Sequence, residues 1–218
     1  MLKELIEKIT NLQTANIFDP AVFNDPVALQ TAWTPAASGG ANFATHKLHI
    51  VHPQRVEFRC SVAMKLMSGI FLGVGLVVIG VFAQKLIGKD VAFESALLMP
   101  LGFGLIFALV GGFLLRNALT PTVFDLNHGY FCKSRQKPEQ TMDPSRIKHY
   151  AQLCDVHALQ LISERCSSKN GSYFSYELNL VLNDGTRINV VDHGNLGELK
   201  RDALLIAELI QKPLWDAC

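Results

Sequence analysis

Two stretches suspend the polar and apolar alternation of the chain. Leu66 to Ala83 runs 18 residues without a charge, and Ser95 to Leu115 runs 21. Each is long enough to cross a hydrocarbon core of about 30 Å. The eleven residues between them are too few for a domain, so the two stretches predict a helical hairpin with both ends on one side. Elsewhere the periods are shorter. Leu2, Leu5, Ile6, Ile9 and Leu12 recur at helical spacing and predict an amphipathic N-terminal helix. Lys3, Glu4, Glu7 and Lys8 interrupt any signal-peptide core there. That helix has three possible seats: the bilayer surface, a partner, or its own domain. Its mixed charges favour protein.

Residues 14–43 carry Asp-Pro and Thr-Pro pairs and the run ASGGAN, with a short helix expected from Pro26 through Thr31. THKLHIVHPQRVEFRC then reads as two strands about a Pro53-Gln54 turn. Val56, Phe58 and Cys60 alternate there with Arg55, Glu57 and Arg59. After the second apolar stretch, PTVFDLNHGYFCKSR reads as a hairpin turning at Asn127-His128-Gly129. HALQLISERCS is a further strand. ELNLVL and RINVV flank Asp184-Gly185, a strong hairpin signal. Leu196, Leu199, Ala203, Ile206, Ala207 and Ile210 form the stripe of a last helix, with Asn195 as N-cap and Pro213 as stop. Asp192-His193-Gly194-Asn195 is therefore expected to be a strand-to-helix corner whose exposed polar groups are available to a ligand or partner.

Hydrophobic residues make up 49% of the chain and charged ones 18%, below the roughly 25% of soluble domains. The net charge of +1 gives no reason to expect nucleic acid. Five cysteines without a CxxC spacing point to reduced thiols in a cytoplasmic compartment. Arg55, Arg59, Lys65, Arg116, Lys133 and Arg135 flank the outer ends of the two spans, against Lys85 and Lys89 in the loop. This bias predicts both termini in the cytoplasm.

Candidate chemistry is sparse. His46, His49 and His52 are spaced by three on a strand, which sends neighbours to opposite faces, so no metal site is expected. No nucleotide loop, GxSxG or HExxH is present, and neither cofactor nor catalysis is expected. Cys132, Cys154 or Cys166 near His149 or His157 would be the candidates were the chain an enzyme. Gly69 and Gly73 form a GxxxG pair, and Gly104, Ala108 and Gly112 continue the pattern on the second span. These glycines serve either the contact between the spans or a contact with another protein.

The stretches TVFDLNHGYFCKSR, HALQLISE, YELNLVLNDGTRINVVDHGN and AELIQKPLWDA set several antiparallel strands before one amphipathic helix. In this the chain resembles uncharacterised bacterial membrane proteins that join a pleckstrin-homology-like domain to a two-span hairpin. The order of elements is also similar to the photosystem I assembly factor family, in topology only. The resemblance implies an α+β membrane protein: residues 1–60 a cytoplasmic helix, loop and β-hairpin, 61–116 the transmembrane hairpin, and 117–218 a cytoplasmic PH-like domain closed by its C-terminal helix. Residues 46–60 either stand apart or add strands to that domain.

Two functions follow as expectations. One is a non-catalytic membrane-anchored adaptor, an accessory or assembly subunit that meets another membrane protein or its own copy. Leu5, Ile9, Gly69, Gly73, Gly104, Gly112, Asp192 and His193 are its candidate contacts. The alternative is lipid-headgroup sensing through Lys133, Arg135, Lys137, Arg146 and Lys148, which lie soon after the second span.

Overall fold

The computed structural model describes residues 18–37, 39–87, 98–168 and 171–218. The predicted N-terminal helix, with Leu5 and Ile9, lies outside them. Among the described residues nine strands form two sheets. The first is β1 (His46–His52), β2 (Arg55–Cys60), β3 (Thr122–Asp125), β4 (Tyr130–Lys133) and β5 (Tyr150–Gln152), in that order and antiparallel throughout. The second is built from β6 (Val156–Ser168), β7 (Gly171–Leu182), β8 (Arg187–His193) and β9 (Leu214–Ala217), in the order β8-β7-β6-β9. All its pairs are antiparallel except β6 with β9.

The described residues also form four α-helices: α1 (Pro26–Gln30), α2 (Val62–Ile87), α3 (Leu98–Ala118) and α4 (Leu196–Ile210). The first stops one residue short of the predicted end, with Thr31 as its extended C-cap. Helices α2 and α3 are long and apolar enough to cross a membrane and bury little of their surface within the chain. Each runs past its predicted end toward the sheet, because the charged and small residues there continue the backbone ladder: Lys65 N–H donates to the Ser61 carbonyl at 3.2 Å.

The hairpin interrupts a sheet. Arg55 to Phe58 of β2 pair with Asp125 to Thr122 of β3, so the strands on either side of the two long helices are neighbours. A single residue, Ser61, joins β2 to α2, and three residues, 119–121, join α3 to β3. Residues 46–60 and 122–152 therefore share one sheet, with the two long helices inserted between β2 and β3.

The core lies between the sheets and α4. Phe58, Phe124 and Phe131 from the first sheet meet Leu159, Leu161, Leu178 and Leu180 from the second, and Leu199 and Ile206 from the helix, all fully buried. The period-two reading of β2 and β7 put Phe58, Leu178 and Leu180 on the core faces of their strands, and burial of such side chains at about 25 cal/mol per Å² dominates the stability. Gly129 takes φ +69° in the β3–β4 turn, a value that a side chain disfavours. Asn195 caps α4 by accepting from Glu198 N–H at 3.1 Å. The helix ends at Gln211 in a left-handed conformation, and Pro213 turns the chain into β9, a strand that no alternation announced.

Candidate functional site

Three surfaces carry the residues of interest: the seam between α2 and α3, the foot of that hairpin, and the outer face of the second sheet. At the seam the backbones touch. A Cβ on Gly75 would overlap the Ala108 backbone and stand 2.7 Å from the Gly104 carbonyl oxygen. One on Gly111 would fall 2.7 Å from Leu72 Cα. Phe71 and Phe107 stack alongside at 5.4 Å. Of the predicted glycines only Gly104 serves this contact; Gly69, Gly73 and Gly112 look into open space. At 100° per residue Gly69, Gly73 and Gly80 lie within about 40° of one another on α2, a stripe turned away from α3.

At the foot, a cleft of about 260 Å³ opens between the ends of β2 and α3. Glu57, Arg59, Cys60 and Lys65 form one wall, and residues 118–121 form the other. Arg59 is bonded to Glu57 at 2.9 Å yet remains 51% exposed. Glu57 also accepts from Arg55 at 3.0 Å. The basic residues expected to meet lipid are scattered. Arg135 reaches the foot, donating to the Arg116 carbonyl at 3.0 Å. Lys137 and Lys148 are exposed, and Arg146 pairs with Asp143 at 3.4 Å. Lys133 is withdrawn instead: burial pulls its pKa below the ordinary lysine value, against the pull of Asp192 and Glu177.

The outer face of the second sheet holds what the sequence concealed. Ser175, Glu177 and Asn179 of β7 and Gln160 of β6 are buried polar side chains in a row. Residues 18–43 strap across them. Glu177 accepts from Ala36 N–H at 2.8 Å, from Ala37 N–H at 3.0 Å and from the Asn179 amide at 2.6 Å. Gln160 donates to the Ala32 carbonyl and Arg187 to the Thr34 carbonyl. Ser175 accepts from Ala41 N–H, and Tyr173 donates to the Gly40 carbonyl. One end is pinned by Phe18, Phe23 and Trp33 around Trp215, with Trp33 and Trp215 5.9 Å apart. The other end crosses Gly194, where a Cβ would overlap the backbone of residues 42 and 43.

This close crossing corrects the expectation for the corner at Asp192 and His193. His193 is 1% exposed, its Nδ1 bonded at the start of α4. Asp192 lies half-buried beneath the strap, its carbonyl accepting from Thr45 Oγ1 at 2.6 Å. Burial raises the Asp192 carboxyl to about 6, with Glu177 adding to it and Asn189 and Lys133 opposing. Burial lowers His46 to about 4, helped by Lys133 and His193.

These two shifts act in opposite senses. Asp192 favours the fold below about pH 4, and that contribution is lost as pH rises through 6. His46 favours it above about pH 6.5, and loses that contribution as pH falls through 4. The unfolding midpoint is therefore expected to change little between pH 4 and 6 from this pair. His46→Gln should leave a stability that falls by about 2 kcal/mol over that range, and Asp192→Asn one that rises by about as much. Tryptophan fluorescence in denaturant across pH reads this; parallel profiles for both variants would refute it.

On the outer face of the first sheet, Asp125, His128 and Glu139 bring one ligand atom each within 4.8 Å. Hydrogen bonds account for them. Asp125 accepts from Arg55 at 2.8 Å and from the His128 backbone at 3.0 Å, and Tyr130 donates to Glu139 at 2.6 Å. Burial would raise the Asp125 carboxyl, but these bonds bring it below its ordinary value. Cys132 faces the same side, and burial pushes its thiol up to about 11, as suits a small buried residue. His46 bonds to Thr45, while His49 and His52 are exposed on β1.

No protein family, no curated protein and no solved structure matches the chain.

Proposed function

We propose that the protein is a non-catalytic membrane-anchored adaptor, an accessory or assembly subunit of a larger membrane complex. In this reading α2 and α3 cross the bacterial inner membrane as a hairpin. Both termini are cytoplasmic, and the two sheets with α4 form a PH-like domain held against the bilayer. The observation that carries it is the stripe of Gly69, Gly73 and Gly80, left open once Gly75, Gly104 and Gly111 have made the seam. In lipid, small residues let another helix approach closely enough for backbone contact. The short links at Ser61 and residues 119–121 supply the other half of an adaptor, since a partner helix on α2 would meet the sheet domain at a fixed height.

The test is purification of the full chain in mild detergent at native abundance, with mass spectrometry of what accompanies it. The expected result is a stoichiometric membrane partner or a dimer of this chain. Gly69→Ile with Gly73→Ile should reduce its recovery about tenfold, the effect of losing 1–2 kcal/mol of helix contact. The hairpin itself should be undisturbed, because both positions face open space. A monomer without companions would overturn the reading.

A further inference from the structure

We propose that the cleft at the foot of the hairpin holds the phosphate of an anionic phospholipid. The proposal rests on the membrane-spanning reading of α2 and α3. The cleft lies where β2 passes into α2 and α3 passes into β3, the level of the headgroups if both helices cross the bilayer. Its two walls differ in kind. Ala118, Leu119 and Pro121 are apolar, with Leu119 50% exposed. Arg59 and Lys65 face them with positive charge.

The charge is available. Glu57 is the acid of the cleft, and both its oxygens are taken, by Arg55 at 3.0 Å and Arg59 at 2.9 Å. It has none left for Lys65, which is exposed in the first turn of α2 and makes no ion pair among the described residues. Arg116 and Arg135 stand beside the opposite helix end. A phosphodiester accepts charge-assisted hydrogen bonds from such groups. Its glycerol carbons and the first methylenes of its chains would lie on the apolar wall, an affinity that free phosphate lacks. The occupant is thus a lipid headgroup of the cytoplasmic leaflet, with Arg59 and Lys65 as its ligands.

The experiment uses the full chain in nanodiscs of phosphatidylcholine mixed with phosphatidylglycerol. Lipid retained after detergent extraction is counted by native mass spectrometry. Phosphatidylglycerol should be retained preferentially, and Lys65→Gln should lower that preference about fivefold, the worth of one interfacial cation. Lys65→Gln combined with Arg59→Gln should abolish it. Arg201→Gln, exposed on α4, should leave it unchanged. The Lys65 side chain makes no ion pair among the described residues, so the single variant stays folded even if loss of Arg59 disturbs Glu57. Equal retention of both lipids by the native chain, or an unchanged preference in the Lys65 variant, would overturn the proposal. So would displacement of the lipid by millimolar inorganic phosphate, which would assign the cleft to the free ion. Carbonate extraction of native membranes is the separate control. A chain released by carbonate would refute membrane insertion itself, whereas one that stays but shows no lipid preference refutes the site alone.

Discussion

Gly75→Leu is expected to force α2 and α3 apart. The two backbones meet at this residue, where even a Cβ would overlap Ala108, so a leucine has no rotamer to retreat into. Overpacking against backbone sits at the upper end of such costs, about 3 kcal/mol or more. Side-chain shifts cannot relieve it, since Gly111 brings the facing helix equally close to the Leu72 backbone farther along the seam. Cysteines introduced by Phe71→Cys and Phe107→Cys, whose rings stack at 5.4 Å, give the readout. In a chain with the native cysteines replaced, this pair should crosslink well with Gly75 present and at most about a tenth as well with leucine there. Gly73→Leu, two residues away and facing open space, should crosslink as the parent does. Equal crosslinking in all three chains would mean that the seam is elsewhere.

The second large effect is expected from Glu177→Ala. The carboxylate holds two consecutive backbone N–H groups of the strap and the amide of Asn179, all within 3.0 Å. Removing it strands those donors under a covered face, a loss on the order of 3 kcal/mol for a buried charged acceptor. Among the described residues Asn179 Oδ1 has no hydrogen-bond partner, so its side chain has no second anchor to fall back on there beyond Gln160. The strap should lift from the sheet. Trp33 and Trp215, the two tryptophans of the chain, both sit in that contact. Their emission should move to the red, and the denaturant midpoint should fall. Asp19→Ala, which removes one cap at the exposed start of the strap, should cost only about 1 kcal/mol. If Glu177→Ala left the tryptophan emission unchanged, the strap would not be held as described.

The sequence was informative where a residue's environment follows from its period, and silent where it follows from distant chain. The apolar alternation in β2 and β7 placed Phe58, Leu178 and Leu180 in the core, because one face of a half-buried strand has to be apolar. The two long apolar runs marked both helices. The glycines of those helices were legible as a type but not as a direction. A helix apolar on every side has no phase, so the GxxxG spacing drew attention to Gly69 and Gly73, while the seam passes through Gly75 and Gly111. The polar row of β7 carries the opposite lesson. Glu177 and Asn179 alternate with leucines as a solvent-facing row would, yet residues more than a hundred positions earlier cover them. Gly194 was read as a bend; its lack of a side chain matters as much for the passage of residues 42 and 43. β5 and β9 are short and pair through tertiary context, so no local pattern announced them.

The placement of the hairpin within a sheet has a consequence for synthesis. β2 leaves the ribosome before either long helix, and its partner β3 follows about 70 positions later, as Arg55 pairs with Asp125. At ordinary translation rates that is a wait of roughly 4 to 14 s, during which one edge of β2 is unpaired. The sheet closes only if α2 and α3 have returned the chain to the side it started from. If α2 and α3 cross a membrane as proposed, a hairpin with one helix left behind would keep β2 and β3 on opposite sides of it and leave Phe58 and Phe124 without a shared core. On that reading completion of the sheet checks insertion, and a chain that fails it displays an open strand edge and exposed aromatic residues.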